Sequence, residues 1–191
     1  MGKHLSGMLS ELTRNVFRLS VCISSLFINF HVTGLEKDDL NSILNFFPIT
    51  ETIGTAGQPT KAQFSNIKNA NFSVVVNLNM PNSENALSEE EDIVSSLGMK
   101  YIHIPVPWDA PSIFHVKEFF AVIDAIETAG EKGFVHCAAN YRVSAFMYKY
   151  LTMRKNFSSA QATSPVLKRW LPEMDDNWKS IMELTPDQID R

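Results

Sequence analysis

The segment from Gly133 to Ser144 places a cysteine between a short apolar run and a long apolar pattern. Phe134 and Val135 predict a buried strand, whereas residues 142–151 contain neither Gly nor Pro and predict a helix. A joint of this kind points backbone N–H groups and the positive end of the helix dipole into the connecting loop. It binds anions and favours the thiolate form of a cysteine held there. The sequence therefore predicts a nucleophilic Cys137 inside an oxyanion cradle.

The residues around Cys137 each have a functional interpretation and a plainer alternative. Arg142 carries a planar guanidinium that fits phosphate-like oxyanions, or it forms an ion pair that fixes the helix. Asn140 can adopt the left-handed backbone conformation that glycine usually supplies in a tight loop. Ser144 either hydrogen-bonds the thiolate or caps the helix. His136 either orients the loop or is a satisfied core histidine, and Cys137 itself is otherwise a small buried hydrophobe.

The order His-Cys, short loop, Arg resembles the Cys-based protein tyrosine and dual-specificity phosphatases. The closer resemblance is to a bacterial branch, the beta-lactamase-hydrolase-like phosphatase domains, and it is supported by Ile53–Thr60, Val74–Leu78 and His103–Val106. It implies an α/β fold with a mostly parallel central sheet of about four to five strands flanked by helices. It also implies hydrolysis of a phosphate monoester through a phosphocysteine, without cofactor or metal. The residues implied to contact the substrate are Ala138, Ala139, Asn140, Tyr141, Ser144, His136 and Trp108.

The loop length departs from this family. Only four residues separate Cys137 from Arg142, whereas the phosphatases have one more. A shift of one residue at a helix start turns a side chain by roughly 100°, so either the loop is tighter or Arg142 points elsewhere. Rhodanese-like sulfurtransferases share the shorter length. A sulfurtransferase with a persulfide on Cys137 and a non-catalytic oxyanion-binding module are therefore the alternatives to a phosphatase.

Asp109 is the candidate for the general acid that a phosphatase needs for its leaving group. It lies in the loop Pro107–Pro111, after a predicted strand, where the family has its acid. The alternative is that Asp109 only closes an Asx turn. Trp108 and Tyr141 are predicted at the mouth of the pocket, with plain aromatic packing as the alternative.

Strand and helix patterns alternate along the chain, which predicts a parallel sheet covered on both faces. In such sheets ligands bind at the carboxyl ends of the strands, where Cys137 falls. Ser88, Ser112 and Ser158 are predicted to cap helices. The predicted strands are 52–55 (at an edge), 73–78, 99–105 and 133–136, and the predicted helices are 37–47, 60–70, one after Ser88, 113–129, 142–151, 158–170 and 176–184.

Residues 1–34 differ from the rest and predict a signal peptide or an N-terminal extension, followed by one domain over 35–191. A cleaved signal would make the protein periplasmic or secreted; otherwise it is expected in the cytoplasm. The net charge of −4 and the lack of a basic cluster argue against nucleic acid. The expected partner is a phosphorylated small molecule or a phosphoprotein, with no stable membrane insertion of the mature domain. The oligomeric state stays open.

Overall fold

The computed structural model describes residues 39–191. The predicted signal peptide over 1–34 lies outside these residues, so export and the domain boundary stay predictions. In the described part, no helix is long and apolar enough to span a membrane.

Five strands form one sheet in the order β1-β2-β5-β3-β4. Only β1 is antiparallel to its neighbour, and the other pairs are parallel, which confirms the predicted fold class. The strands are β1 (Phe47–Pro48), β2 (Ile53–Ala56), β3 (Val74–Asn77), β4 (Lys100–His103) and β5 (Gly133–His136).

The prediction that β2 lies at an edge is wrong. It lies between β1 and β5, and all four of its residues are buried. Gly54 makes this close packing possible, because a Cβ there would lie 2.9 Å from the ring of Phe72. Small residues in a central strand weaken the apolar pattern by which such a strand is predicted.

Helices cover both faces of the sheet. They are α1 (Gln63–Asn69), α2 (Glu90–Ser96), α3 (Ile113–Thr128), α4 (Tyr141–Arg154), α5 (Ser159–Ala162), α6 (Pro165–Trp170), α7 (Asp176–Glu183) and α8 (Pro186–Ile189). Val74 and Val76 of β3 face the core formed with α3, α4 and the later helices, whereas Val75 faces the smaller core formed with α1 and α2. The alternation follows from the two-residue period of a strand.

The helix predicted over 37–47 is absent from its described part. A single 3-10 turn, Leu40–Ser42, precedes β1, and Leu44, expected on the buried face, is 51% exposed. Asn45 has a φ of 51°, a left-handed conformation that no α-helix tolerates. The asparagine therefore ends any helix here and turns the chain towards the sheet.

Two predicted helix starts also differ in the structure. The helix predicted over 158–170 is divided into α5 and α6, because Ser164 caps a new helix with Pro165 in its first turn. The capping box predicted at Ser88 is wrong, since its hydroxyl contacts the Glu89 carboxylate and α2 begins at Glu90, which is buried. Helix α3 begins directly after Ser112, as predicted.

Candidate active site

The cysteine loop joins the carboxyl end of β5 to the first turn of α4. Cys137 is a free thiol with 1% of its surface exposed. Its backbone N–H donates to the oxygen of Ala56 at 3.3 Å, which ties the loop to the end of the neighbouring strand β2. The loop therefore lies where ligands bind in parallel sheets.

The carbonyl groups of the loop are held by donors from other segments. The oxygen of Ala138 accepts from the Gln58 backbone N–H at 3.1 Å and from Asn85 Nδ2 at 3.0 Å. The oxygen of Ala139 accepts from Asn45 Nδ2 at 3.0 Å. These bonds fix the peptide planes, and each plane carries its N–H on the opposite side from its carbonyl.

Most N–H groups of the same loop lack a partner in the described part of the chain. Among residues 39–191, the backbone N–H groups of Ala138, Ala139, Tyr141, Arg142 and Val143 donate to no other residue. The N–H groups in the first turn of α4 have no acceptor within the helix, as is the case at the start of any α-helix. A run of unpaired N–H groups at the positive end of a helix dipole is an anion-binding arrangement.

Asn140 makes the short loop possible. Its φ is 70°, which confirms the predicted left-handed conformation, and its side chain is fully buried. The amide nitrogen donates to the oxygen of Asn45 at 2.8 Å and to Thr55 Oγ1 at 3.2 Å. These bonds offset the cost of the left-handed backbone, and α4 begins at the next residue, Tyr141.

Arg142 lies against the loop that follows β4. Its Nε donates to the oxygen of Val106 at 2.9 Å, and its Cζ is 5.4 Å from the ring centre of Trp108. Only 7% of the residue is exposed. Within the described chain it has no acidic partner, and its two Nη atoms make no hydrogen bond. The guanidinium is therefore buried with its outer donors uncommitted.

Ser144 belongs to a buried chain of hydroxyl groups. Its Oγ donates to Asn140 Oδ1 at 3.4 Å and accepts from Ser164 Oγ at 2.9 Å. Ser164 in turn accepts from the Leu167 N–H and so caps α6. Among the described residues, Ser144 makes no hydrogen bond with the Cys137 thiol, so the predicted contact with the thiolate stays a prediction.

His136 is bonded to a carboxylate beneath the loop. Its Nε2 lies 2.8 Å from Glu90 Oε1, and both side chains are at most 1% exposed. Glu90 also accepts from Asn77 Nδ2 at 3.1 Å and from Gln58 Nε2. Burial would raise the pKa of Glu90, but the hydrogen bonds from His136 and Gln58 outweigh it and lower that pKa. The carboxylate is thus ionised at neutral pH and accepts from all three donors.

Asp109 and Trp108 lie on the loop after β4. Asp109 is exposed, whereas the Trp108 ring packs on Tyr141, Trp170 and Trp178. Trp178 of α7 donates from Nε1 to the oxygen of Trp108 at 2.9 Å. The loop that carries the candidate acid is thereby joined to the first turn of α4 and to the C-terminal helices.

Sequence reasoning missed the residues that support the loop, namely Asn45, Gln58, Asn85, Glu90 and Trp178. Gln58 stands in the Gly-Gln-Pro-Thr motif and carried a usable signal. Glu90 was hidden in an acidic run that also suits a helix start. The two asparagines act on backbone carbonyls, and no spacing in the sequence reveals such a contact. The described residues hold no His, Cys, Asp and Glu cluster that could bind a metal ion.

A thiol between the central parallel strand and a helix, with an arginine in the first helical turn, defines the class of Cys-based phosphatase folds. The chain belongs to the family described as a DSP-PTPase phosphatase fused to NAD+ kinase, which matches residues 45–178. No curated protein matches it.

Solved structures agree with this assignment. A candidate phosphatase (DUF442) from Shewanella putrefaciens is 33% identical, with a TM-score of 0.68 over 75% of this chain and 91% of that one. Tk-PTP in its active form is 18% identical, with a TM-score of 0.61 over 77% and 97%. The PP-IP phosphatase SIW14 from S. cerevisiae is 15% identical, with a TM-score of 0.61 over 77% and 89%. The last two show likeness of fold alone.

Proposed function

We propose that the protein is a Cys-dependent phosphatase that hydrolyses a phosphate monoester through a phosphocysteine. The observation that carries this proposal is the set of unpaired N–H groups of Ala138, Ala139, Tyr141, Arg142 and Val143, together with the uncommitted Nη donors of Arg142. Donors of these kinds bind the three equatorial oxygens of a phosphoryl group in transfer. In this proposal the Cys137 thiolate is the attacking atom.

The proposed reaction has two displacements at phosphorus. The Cys137 thiolate forms the S–P bond while the bond from phosphorus to the ester oxygen breaks, and Asp109 gives that oxygen a proton. A water molecule then attacks phosphorus and gives its proton to Asp109 as the S–P bond breaks. Inorganic phosphate leaves, and the thiolate and the acid are both restored.

The proposed cradle supports a substrate that carries a phosphate group. SIW14 is a PP-IP phosphatase, and a structure of PTPMT1, 17% identical to this chain, holds PI(5)P. Phosphatases of this fold therefore include some for small phosphorylated molecules and lipids. For this protein we propose a phosphorylated small molecule or a phosphoprotein, with Trp108 and Tyr141 beside the ester group.

The test is an assay of the full chain on p-nitrophenyl phosphate, with thiosulfate and cyanide as a parallel substrate pair. Cys137→Ser should abolish hydrolysis, and Asp109→Asn should lower kcat by about 10²–10⁴-fold, the usual share of general acid catalysis. Asp92→Asn removes an exposed carboxylate from α2 and serves as the control that should leave kcat unchanged.

Three results would contradict the proposal. Turnover of thiosulfate alone would identify a sulfurtransferase. Phosphate binding without turnover would identify a non-catalytic module. Hydrolysis that survives in Cys137→Ser would remove the phosphocysteine from the reaction.

A further inference from the structure

We propose that Glu90 is a positioning residue that fixes Cys137 through both of its neighbours in the chain. The proposal rests on the proposed function only in taking Cys137 as the nucleophile. Glu90 itself does not belong to the loop. It is the first residue of α2, its side chain is 1% exposed, and it reaches the cysteine through His136 on one side and Gln58 on the other.

On the N-terminal side, Glu90 is the sole polar anchor of the His136 ring among residues 39–191. The Nε2 atom is bonded to Glu90 Oε1, whereas Nδ1 is buried and has no partner among the described residues. The rest of the ring lies against Phe64 and Phe134. Because the ionised Glu90 only accepts hydrogen bonds, it fixes the donor proton on Nε2. Without the carboxylate, no polar contact would hold this ring, which directly precedes Cys137.

On the C-terminal side, Glu90 acts through Gln58. The side-chain amide of Gln58 donates to Glu90 Oε2, while its backbone N–H donates to the oxygen of Ala138. Asn77 Nδ2 is the third donor to the carboxylate, and it comes from the end of β3. One side chain therefore links three donors, and two of them fix the residues on either side of the cysteine.

The burial of a charge at this point is costly in free energy, which argues for a specific role. A buried carboxylate is tolerated only when hydrogen bonds satisfy it, and apolar residues of the same volume often give equal or greater stability. What the carboxylate adds is a fixed geometry, because its donors come from separate segments. The cradle needs that geometry, since its N–H groups must converge on one anion.

The test compares Glu90→Gln with Glu91→Gln, a matched change at the next residue of α2, which is exposed. Glu90→Gln keeps the size and one acceptor oxygen for His136, but it removes the charge and turns the acceptor that faces Gln58 Nε2 into a donor. We expect iodoacetamide to alkylate Cys137 about tenfold more slowly at pH 7, as the loss of one charge-assisted contact implies. Peptide mass spectrometry separates this site from Cys22. Where the wild type turns over p-nitrophenyl phosphate, kcat should fall with little change in KM.

A reciprocal variant gives the rescue. Gln58→Glu with Glu90→Gln exchanges carboxylate and amide, so it restores donor against acceptor and should recover most of the alkylation rate. Opening of the fold would instead speed alkylation, because it exposes the buried thiol. Urea unfolding therefore gives the unfolded fraction of each variant, and the alkylation rates are compared for the folded fraction alone. An unchanged or faster rate in Glu90→Gln, or no recovery in the reciprocal variant, overturns the proposal. Alkylation needs no turnover, so this outcome is independent of whether the protein is a phosphatase.

Discussion

At the scale of single residues, two left-handed asparagines explain how a short loop keeps an anion cradle. Asn45 has a φ of 51° and donates its amide to the oxygen of Ala139, while Asn140 has a φ of 70° and donates its amide to the oxygen of Asn45. Each side chain therefore donates to a backbone carbonyl of the other asparagine or of the residue before it. Asparagine is among the few residue types that combine this backbone conformation with a donor.

Two replacements of Asn140 separate the contribution of its left-handed backbone from that of its amide hydrogen bonds. Asn140→Gly relieves the backbone strain and loses the amide bonds, whereas Asn140→Ala loses the same bonds and adds about 1–2 kcal/mol of left-handed strain. Both should lower the free energy of unfolding in urea, and the alanine variant should be the less stable by about that amount. Equal stability of the two variants would show that the left-handed backbone carries no cost here.

At the scale of elements, α7 anchors the loop that carries the candidate acid. The Trp178 indole donates to the oxygen of Trp108, the residue before Asp109, and the two rings are 5.4 Å apart. The Trp108 ring also lies beneath the guanidinium of Arg142. One C-terminal helix therefore sets the distance between the loop of the candidate acid and the first turn of α4.

Trp178→Phe tests this anchor, because it keeps an aromatic ring and removes the donor. We expect a loss of about 1 kcal/mol in the free energy of unfolding from the hydrogen bond, besides any loss of packing. We also expect a fall in kcat on p-nitrophenyl phosphate, since Asp109 is less well placed. The control is Trp170→Phe, in the same ring cluster, whose indole N–H has no acceptor among the described residues. If both variants lose kcat equally, ring packing and not the hydrogen bond holds the loop.

Elements were predicted best where apolar periodicity is strong. Strands β3 and β5 and helix α3 have the predicted bounds to within one residue at each end. The predicted elements were wrong where a single residue overrides the apolar periodicity. The turn at Asn45 replaces an amphipathic helix, and Ser164-Pro165 starts a new helix within a longer one. Backbone conformation and local capping compete with periodicity at such positions, and a sequence alone does not show which prevails.

At the scale of the whole molecule, the sequence predicts the position of the candidate site better than the residues that support it. Residues that contact an anion share one short segment, so the position of Cys137 and the bend at Asn140 could be inferred directly. The supporting residues come from distant parts of the chain. Asn45 lies 95 residues from Asn140, and Glu90 lies 46 residues from His136. Only the folded sheet brings them together, and a single sequence contains no record of such pairs.

The same buried carboxylate predicts how the stability of the molecule depends on pH. The pKa of Glu90 is lowered from its ordinary value of 4.5, since hydrogen bonds from His136 and Gln58 outweigh the opposing effect of burial. The folded protein therefore binds this proton more weakly than the unfolded chain does. Ionised Glu90 contributes its full stabilisation above pH 4.5, and that contribution is lost as the pH falls through the lowered pKa.

Urea unfolding of the wild type and Glu90→Gln from pH 7 to pH 3 should reveal this linkage. The wild type should be the more stable at pH 7, and its advantage should shrink below about pH 4.5, because the glutamine cannot titrate. Glu91→Gln, which changes an exposed carboxylate, should follow the wild type throughout. If the free energies of unfolding of the wild type and Glu90→Gln differ by the same amount from pH 7 down to pH 3, the carboxylate stabilises the fold by its shape and not by its charge.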